Sequence, residues 1–288
     1  MKIGFIGLGI MGAPMSENII KKHDDAVYVY NRSRPKAKAV AAKGGILCES
    51  AQELAQKADV IITMVPRSAD SKAVYDSILP QLGSGKLCID MSTIDPAVSR
   101  EIAVRVKASG AGFVDAPVVK SRPAAEAGTL GIYVGGSEED YEKARPILAY
   151  MGVNIKRMGD NGAGLVMKIC HNALVSQIQN GVNETVLLAQ KNGISVSDYA
   201  EAISYGGGQN AYLDTKKNVI EAEDFTTAFS VENMAKDVGI ALSLAKELGL
   251  KLGGEENVQR VYATAIEQGY AKEDFSATVK AVRINAGG

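Results

Sequence analysis

Short apolar runs alternate with amphipathic stretches through the first half of the chain. The runs are Lys2 to Ile6, Val27 to Tyr30, Val60 to Met64, Leu87 to Met91, Phe113 to Val118 and Gly131 to Val134. Between them lie helical patterns at Pro14 to Lys22, Arg34 to Lys43, Ser68 to Leu82 and Pro96 to Ser109. Strands that alternate with helices predict a mainly parallel sheet joined by crossover helices. A strand buried on both faces is apolar throughout, and Val60-Ile61-Ile62 reads that way.

The pattern changes after Gly162. Ala163 to Asn192 has no proline and only two glycines, Gly164 and Gly181, and it stops at Asn192-Gly193. This predicts one long connecting helix over 163–192. Helical patterns follow at Ser197 to Ser204, Val231 to Leu248, Glu255 to Gln268 and Phe275 to Ile284, without strand-like alternation. The expected fold is an α/β Rossmann domain, doubly wound, over 1–162. An all-α domain for substrate binding and oligomer contacts is expected over 163–288.

Composition narrows the function classes. The chain has 288 residues, 46% hydrophobic and 23% charged, enough for two ordinary globular domains. Lys+Arg is 32 and Asp+Glu is 33, for a net charge of -1, which argues against a nucleic-acid partner. Two histidines and three scattered cysteines, with no paired CxxC, argue against a metal centre or a disulfide framework. No run is long and apolar enough for a membrane span. The reading is a soluble, cytoplasmic protein in a reducing compartment, and Cys88 and Cys170 are expected to be small core residues.

Gly7-Leu8-Gly9-Ile10-Met11-Gly12 is a GxGxxG that follows the first apolar run and opens a helical pattern. In that context Gly7 allows a tight turn, and Gly9 lets a pyrophosphate approach the backbone. Gly12 lets helix and strand pack closely, and the helix N–H groups face the anion. Ile10 and Met11 fall inside the same cofactor turn. At the end of the second run, an acidic residue would hold the ribose 2′-OH of NAD. Asn31-Arg32-Ser33-Arg34 stands there instead. Paired arginine donors suit a 2′-phosphate, which favours NADP(H) over NAD(H).

Lys168 lies early in the long helix, one turn before Asn172, so the two share a face. Apolar neighbours would lower the pKa of such a lysine and let it exchange protons near neutrality, whereas periodicity alone favours a lysine on the helix surface. His171 lies about 60° further round the helix, and it reads as packing or interface.

These segments resemble the β-hydroxyacid dehydrogenase family, which includes 3-hydroxyisobutyrate dehydrogenase and semialdehyde reductases. The resemblance runs through Gly4 to Met15, Asn18, Thr63 to Pro66, Asp90 to Thr93, Asp115 to Val118, Gly128 to Leu130, Gly164 to Asn172 and Lys236-Asp237. It implies that Lys168 exchanges a proton with the substrate oxygen and that Asn172 helps to hold the substrate. It implies a cofactor loop at Met64, Val65 and Pro66, and nicotinamide-end contacts at Thr93 and Lys236. It also implies a homodimer or homotetramer.

The chain departs from the family where many members continue the Asp-Ala-Pro-Val motif with Ser-Gly-Gly. Here Val119-Lys120-Ser121 follows. A cation in place of the first glycine suits a carboxylate or sulfonate held by Lys120 and Ser121, and it is similar to a sulfolactaldehyde reductase branch. The glycine-rich loop Ser204 to Asn210 is expected to border the substrate. The expected activity is an NADP(H)-dependent oxidoreductase that interconverts a small anionic semialdehyde and its hydroxyacid, without a metal. An imine-reductase-like enzyme and a non-catalytic NADP-binding protein are the alternatives.

Overall fold

The computed structural model describes residues 1–287. The chain divides into two compact units, Met1–Lys168 and Ile169–Gly288.

The first unit begins β1 (Ile3–Ile6), α1 (Gly12–Lys22), β2 (Val27–Tyr30), α2 (Arg34–Ala41), β3 (Ile46–Leu47), α3 (Ala51–Lys57) and β4 (Val60–Thr63). It continues with α4 (Ser68–Ile78), β5 (Leu87–Asp90), α5 (Pro96–Ala108), β6 (Gly112–Asp115), β7 (Val118–Val119), α6 (Arg122–Ala127), β8 (Leu130–Gly135), α7 (Glu138–Leu148) and β9 (Gly152–Gly159). Among the described residues the strands form one nine-stranded sheet in the order β3-β2-β1-β4-β5-β6-β8-β7, with β9 on β8.

From β3 to β6 the pairs are parallel, whereas β8 runs antiparallel to β6 and β7. β1, β4 and β5 are buried at every position, the consequence of helices on both faces. One core cluster contains Ile3, Phe5, Met15, Ile62 and Val114, and a second contains Leu54, Ile61, Tyr75 and Phe113. The strand order reverses between β1 and β4, the switch point where doubly wound sheets open a crevice at their strand ends.

Some expected elements differ. Phe113 to Val118 is not one strand, because the chain turns at Ala116-Pro117 between β6 and β7. Pro117 has no N–H to give to a ladder, and its carbonyl accepts from Tyr133 N at 3.1 Å. Ser68 to Leu82 breaks into α4 and a 3₁₀ turn at 79–81, with Pro80 in that turn.

The connecting helix α8 (Ala163–Lys191) starts in the first unit and runs into the second. The second unit continues with α9 (Val196–Ile203), α10 (Ala211–Ala222), α11 (Val231–Glu247), α12 (Gly253–Glu267), a 3₁₀ turn at 275–277 and α13 (Thr278–Asn285). Its core contains Val182, Val186, Leu213, Val231, Met234, Tyr262 and Val282. The sequence patterning passed over α10, which begins at Asn210, whose side chain accepts from Leu213 N at 2.9 Å.

Candidate active site

The glycine turn follows β1 at the switch point. Gly7 has φ +98°, and a Cβ there would lie 2.2 Å from the Met64 carbonyl oxygen. A Cβ on Gly12 would lie 1.9 Å from the Gly7 carbonyl oxygen. Both positions therefore exclude any side chain. Gly9 differs, because a Cβ there would meet nothing within 4 Å. No side chain caps α1 and its first turn holds no acid. Its first N–H groups and positive dipole end thus suit an anion. This cradle fits a dinucleotide pyrophosphate. Ile10 at its rim is half exposed and Met11 partly buried.

Asn31, expected to face the ribose, braces the turn as well. Its carbonyl oxygen accepts from Leu8 N at 2.9 Å, and its amide donates to the Ser33 carbonyl at 3.0 Å. The Arg32 side chain is 92% exposed, with only a loose 3.8 Å approach to Asp70. It can therefore reorient toward a ligand phosphate. Ser33 stands at the start of α2 without a side-chain cap bond, and no acid occupies that first turn. Arg34 is committed elsewhere, to a paired contact with Glu49.

Buried hydrogen bonds fix the loop after β4. Asp90 accepts from the Ser71 hydroxyl and from Ser92 N, the latter at 3.0 Å. The Ser92 hydroxyl in turn accepts from Val65 N at 2.9 Å. Val65, between Met64 and Pro66, is thereby tied to the segment that carries Thr93. Burial pushes the Asp90 carboxyl above its ordinary range, against the lowering effect of Ser71, Ser92 and Thr63. The sequence contains this motif, but sequence reasoning assigned Asp90 and Ser92 no role. An acid ending an otherwise apolar strand was the available signal.

The turn after β7 carries the departure from the family motif. Lys120 has φ +75°, a left-handed conformation that favours glycine. Its ammonium donates to the Thr129 carbonyl at 3.0 Å across the short helix α6. Ser121 is exposed at the start of α6 without a side-chain cap bond. The buried Asn18 amide donates to the Ala125 carbonyl at 2.7 Å, tying α1 to α6.

Lys168 is 8% exposed, the last residue of the first unit. Asp115, at the end of β6, receives Gly162 N at 2.6 Å and Leu165 N at 3.0 Å on its two carboxylate oxygens. It thus closes the N-terminus of α8 ahead of Lys168.

In the second unit, Asn172 is buried and its amide donates to Asp237 Oδ2 at 2.6 Å. Lys236 Nζ stands 3.1 Å from Asp237 Oδ1. Asp237 was quoted in the sequence only as part of a motif, yet it joins these two predicted residues. Lys168, Asn172, Ser176, Gln179 and Asn183 are all buried, and their spacing puts them on one side of α8. His171 is partly buried. Cys88 is buried as expected, but Cys170 is exposed, because it falls on the opposite side of the helix from the core. The loop from Ser204 to Asn210 is largely exposed, with the Tyr205 hydroxyl donating to Glu201 at 2.6 Å.

Among the described residues, no group of three His, Cys, Asp or Glu side chains could hold a metal ion, and no helix is long and apolar enough to cross a membrane.

A glycine cradle at the switch point, followed by a helical unit, defines a pyridine-nucleotide oxidoreductase. Residues 2–159 match the model for the NAD-binding domain of 6-phosphogluconate dehydrogenase. Residues 162–282 match that for the NAD-binding domain of NADP-dependent 3-hydroxyisobutyrate dehydrogenase. The chain belongs to the β-hydroxyacid dehydrogenase family.

It is 34% identical to an NAD-dependent L-serine dehydrogenase of Pseudomonas aeruginosa, over 97% of each chain. It is 33% identical to a 2-(hydroxymethyl)glutarate dehydrogenase of Eubacterium barkeri, over 97% of this chain and 94% of that one. The solved structure of a Mycobacterium tuberculosis 3-hydroxyisobutyrate dehydrogenase with L-serine superimposes with a TM-score of 0.90 at 32% identity. That match covers 98% of this chain and 99% of the other. An imine reductase from Pseudomonas shares the fold, with a TM-score of 0.67 at 23% identity.

Proposed function

We propose that the protein is an NADP(H)-dependent reductase of a small anionic semialdehyde, reversibly forming the corresponding hydroxyacid. Residues 1–162 bind the cofactor, and 163–288 serve substrate binding and self-association. The balanced reaction is RCHO + NADPH + H⁺ giving RCH₂OH + NADP⁺. Bound NADPH supplies the hydride to the aldehyde carbon. Lys168 donates the proton to the aldehyde oxygen, and it takes that proton back in the reverse direction. Asn172, its amide oriented by Asp237, helps to hold the substrate.

The observation that carries the substrate class is Lys120, a cation at a left-handed turn beside the exposed Ser121 hydroxyl. Its ammonium leaves a single backbone acceptor to reach a carboxylate or sulfonate. The names of the L-serine, 2-(hydroxymethyl)glutarate and 3-hydroxyisobutyrate dehydrogenases among the relatives support a small carboxylate substrate. Arg32 supports NADP over NAD, because it follows the end of β2, where a dinucleotide's ribose is recognised in such folds, and is otherwise loosely held. Gly7, Gly9, Ile10, Met11 and Gly12 cradle the pyrophosphate. Met64, Val65, Pro66 and Thr93 extend that cofactor site within the first unit.

The test follows NADPH and NADH oxidation by wild type and Lys120→Ala. The aldehydes are sulfolactaldehyde, succinic semialdehyde, glyoxylate, tartronate semialdehyde and methylmalonate semialdehyde. One aldehyde should dominate with NADPH, and Lys120→Ala should raise its KM far more than it lowers kcat. Equal, low rates for all five, or an unchanged KM in Lys120→Ala, would overturn this account of specificity.

A further inference from the structure

The start of α8 is held by a group that the proposed proton transfer does not use. Asp115 is fully buried at the end of β6, and its two oxygens receive the N–H groups of Gly162 and Leu165. These amides belong to the turn and first residues of α8, just ahead of Lys168. A helix leaves its first N–H groups without internal partners, so an anion placed there fixes where the helix begins.

A second contact fixes the helix sideways. Gly164 approaches β8 so closely that a Cβ would lie 2.6 Å from the Tyr133 carbonyl oxygen and 2.8 Å from Gly135 N. The same Cβ would lie 2.9 Å from Asp115 Oδ2. Gly162, at φ +91°, turns the chain beneath the Arg100 side chain, whose Nε would be 2.8 Å from a Cβ there. Asn161 adds a bond from its amide to the Phe113 carbonyl at 2.9 Å.

The carboxylate is held at a cost. Burial pushes Asp115 up to about 6, opposed by its backbone hydrogen bonds and assisted by the nearby Asp90 charge. Two opposing requirements are thus met at one residue. The helix start needs an anion, and the interior penalises one. A neutral amide of the same shape would be cheaper to bury, but one of its two ends would turn a donor toward a donor.

We propose that Asp115 is a positioning residue for the proton donor: by tethering the first turn of α8 it sets the axial and rotational placement of Lys168. The inference rests on Lys168 as the proton donor. Asp115 also begins the segment that leads through Val118 and Val119 to Lys120. One carboxylate therefore ties the strand that feeds the substrate turn to the helix that presents the ammonium. Reaction geometry tolerates little displacement, so a shift of about 1 Å can cost on the order of a hundredfold in rate.

The test compares Asp115→Asn, Asp115→Ala and Gly164→Ala in the full chain. Three quantities are read: kcat per folded molecule on the aldehyde that wild type prefers, the NADPH Kd, and amide hydrogen exchange across 160–170. Asp115→Asn keeps one acceptor and should lower kcat about tenfold, and Asp115→Ala about a hundredfold or more. The NADPH Kd should stay within about twofold of wild type. The solvent isotope effect on kcat should rise as proton transfer becomes limiting, which a merely structural role would not produce. Gly164→Ala, which displaces the helix and keeps the carboxylate, should repeat this kcat loss even if Asp115→Ala fails to fold. Exchange at 162–168 should accelerate in every variant that folds.

A normal kcat and isotope effect in Asp115→Asn, with only lowered thermal stability, would overturn the proposal. If wild type reduces none of the aldehydes, the reading of function fails, and hydrogen exchange judges the tether by itself. Unchanged exchange at 162–168 in Asp115→Asn then overturns the tether too.

Discussion

Two glycine-rich turns in the first unit lead into helices, and they are finished in opposite ways. The turn from β1 into α1 is left open. No side chain caps it, no acid occupies its first turn, and a Cβ on Gly9 would meet nothing. The turn from β9 into α8 is closed, because Asp115 fills the place of an anion. The same electrostatics operates at both. A helix N-terminus attracts negative charge, and the chain either supplies that charge or leaves the place for a ligand. The open turn suits a diffusible phosphate group. The closed one gives Lys168 a fixed base.

The most severe way to break the comparison is Gly12→Ala. Its Cβ would lie 1.9 Å from the Gly7 carbonyl oxygen, so the turn itself must move. We expect NADPH binding to be lost and thermal stability to fall, measured by cofactor fluorescence titration and calorimetry. Lys168→Ala should come next, lowering kcat by about 10² to 10⁴, the range for a general acid. The NADPH Kd should hardly change, and steady-state kinetics beside a binding titration would check the pair.

Gly9→Ala sharpens the contrast with Gly12. Nothing in the protein meets the new methyl group, so the melting temperature without cofactor should match wild type. NADPH affinity should nevertheless fall by about tenfold, because the pyrophosphate needs that approach. Equal losses in both glycine variants would contradict an open cradle. Arg32→Glu should shift the NADPH-to-NADH ratio of kcat/KM toward NADH by about tenfold or more, since its carboxylate repels a 2′-phosphate and can accept from a 2′-OH.

The smallest effect lies in the second unit. Glu255 is fully buried against Ser176 and Gln177, and burial pushes its carboxyl up to about 7 from 4.5. The folded state therefore retains a proton that the unfolded chain releases. The stability this contributes is complete below about pH 4.5 and is lost as pH rises through about 7. Glu255→Gln should then melt a few degrees above wild type at about pH 8, and the gap should close toward about pH 4.5. Thermal melts across that range would check it, and a gap that widens toward acid would contradict the assignment.

The legible parts of this molecule were local. The β1 run, the glycine spacing and the long uninterrupted helix are patterns within a few turns of chain. Lys168 and Asn172 were legible as a pair because i and i+4 share a helix face. Asp115 was readable only as a motif letter, because its partners lie about fifty positions away in sequence. Asn31 shows the same limit. Its position at the strand end suggested a ribose contact, but the bond that its carbonyl oxygen accepts from Leu8 N spans 23 positions and was not readable there. Cys170 was misjudged for a related reason: apolar neighbours do not say which side of a helix faces the core.

The sequence alone determined the doubly wound sheet, the cofactor turn, the long helix and the family. Each of these follows from periodicity or from residue types at fixed short spacing, which backbone geometry converts directly into structure. Only the tertiary structure decided which side chains are occupied by other side chains. It turned β8 antiparallel, tied Val65 to Ser92, paired Asn172 with Asp237 and put the Asp115 carboxylate at the head of α8. Those arrangements depend on contacts between distant segments. Burial makes each unsatisfied polar group costly, so packing rather than local propensity selects its partner.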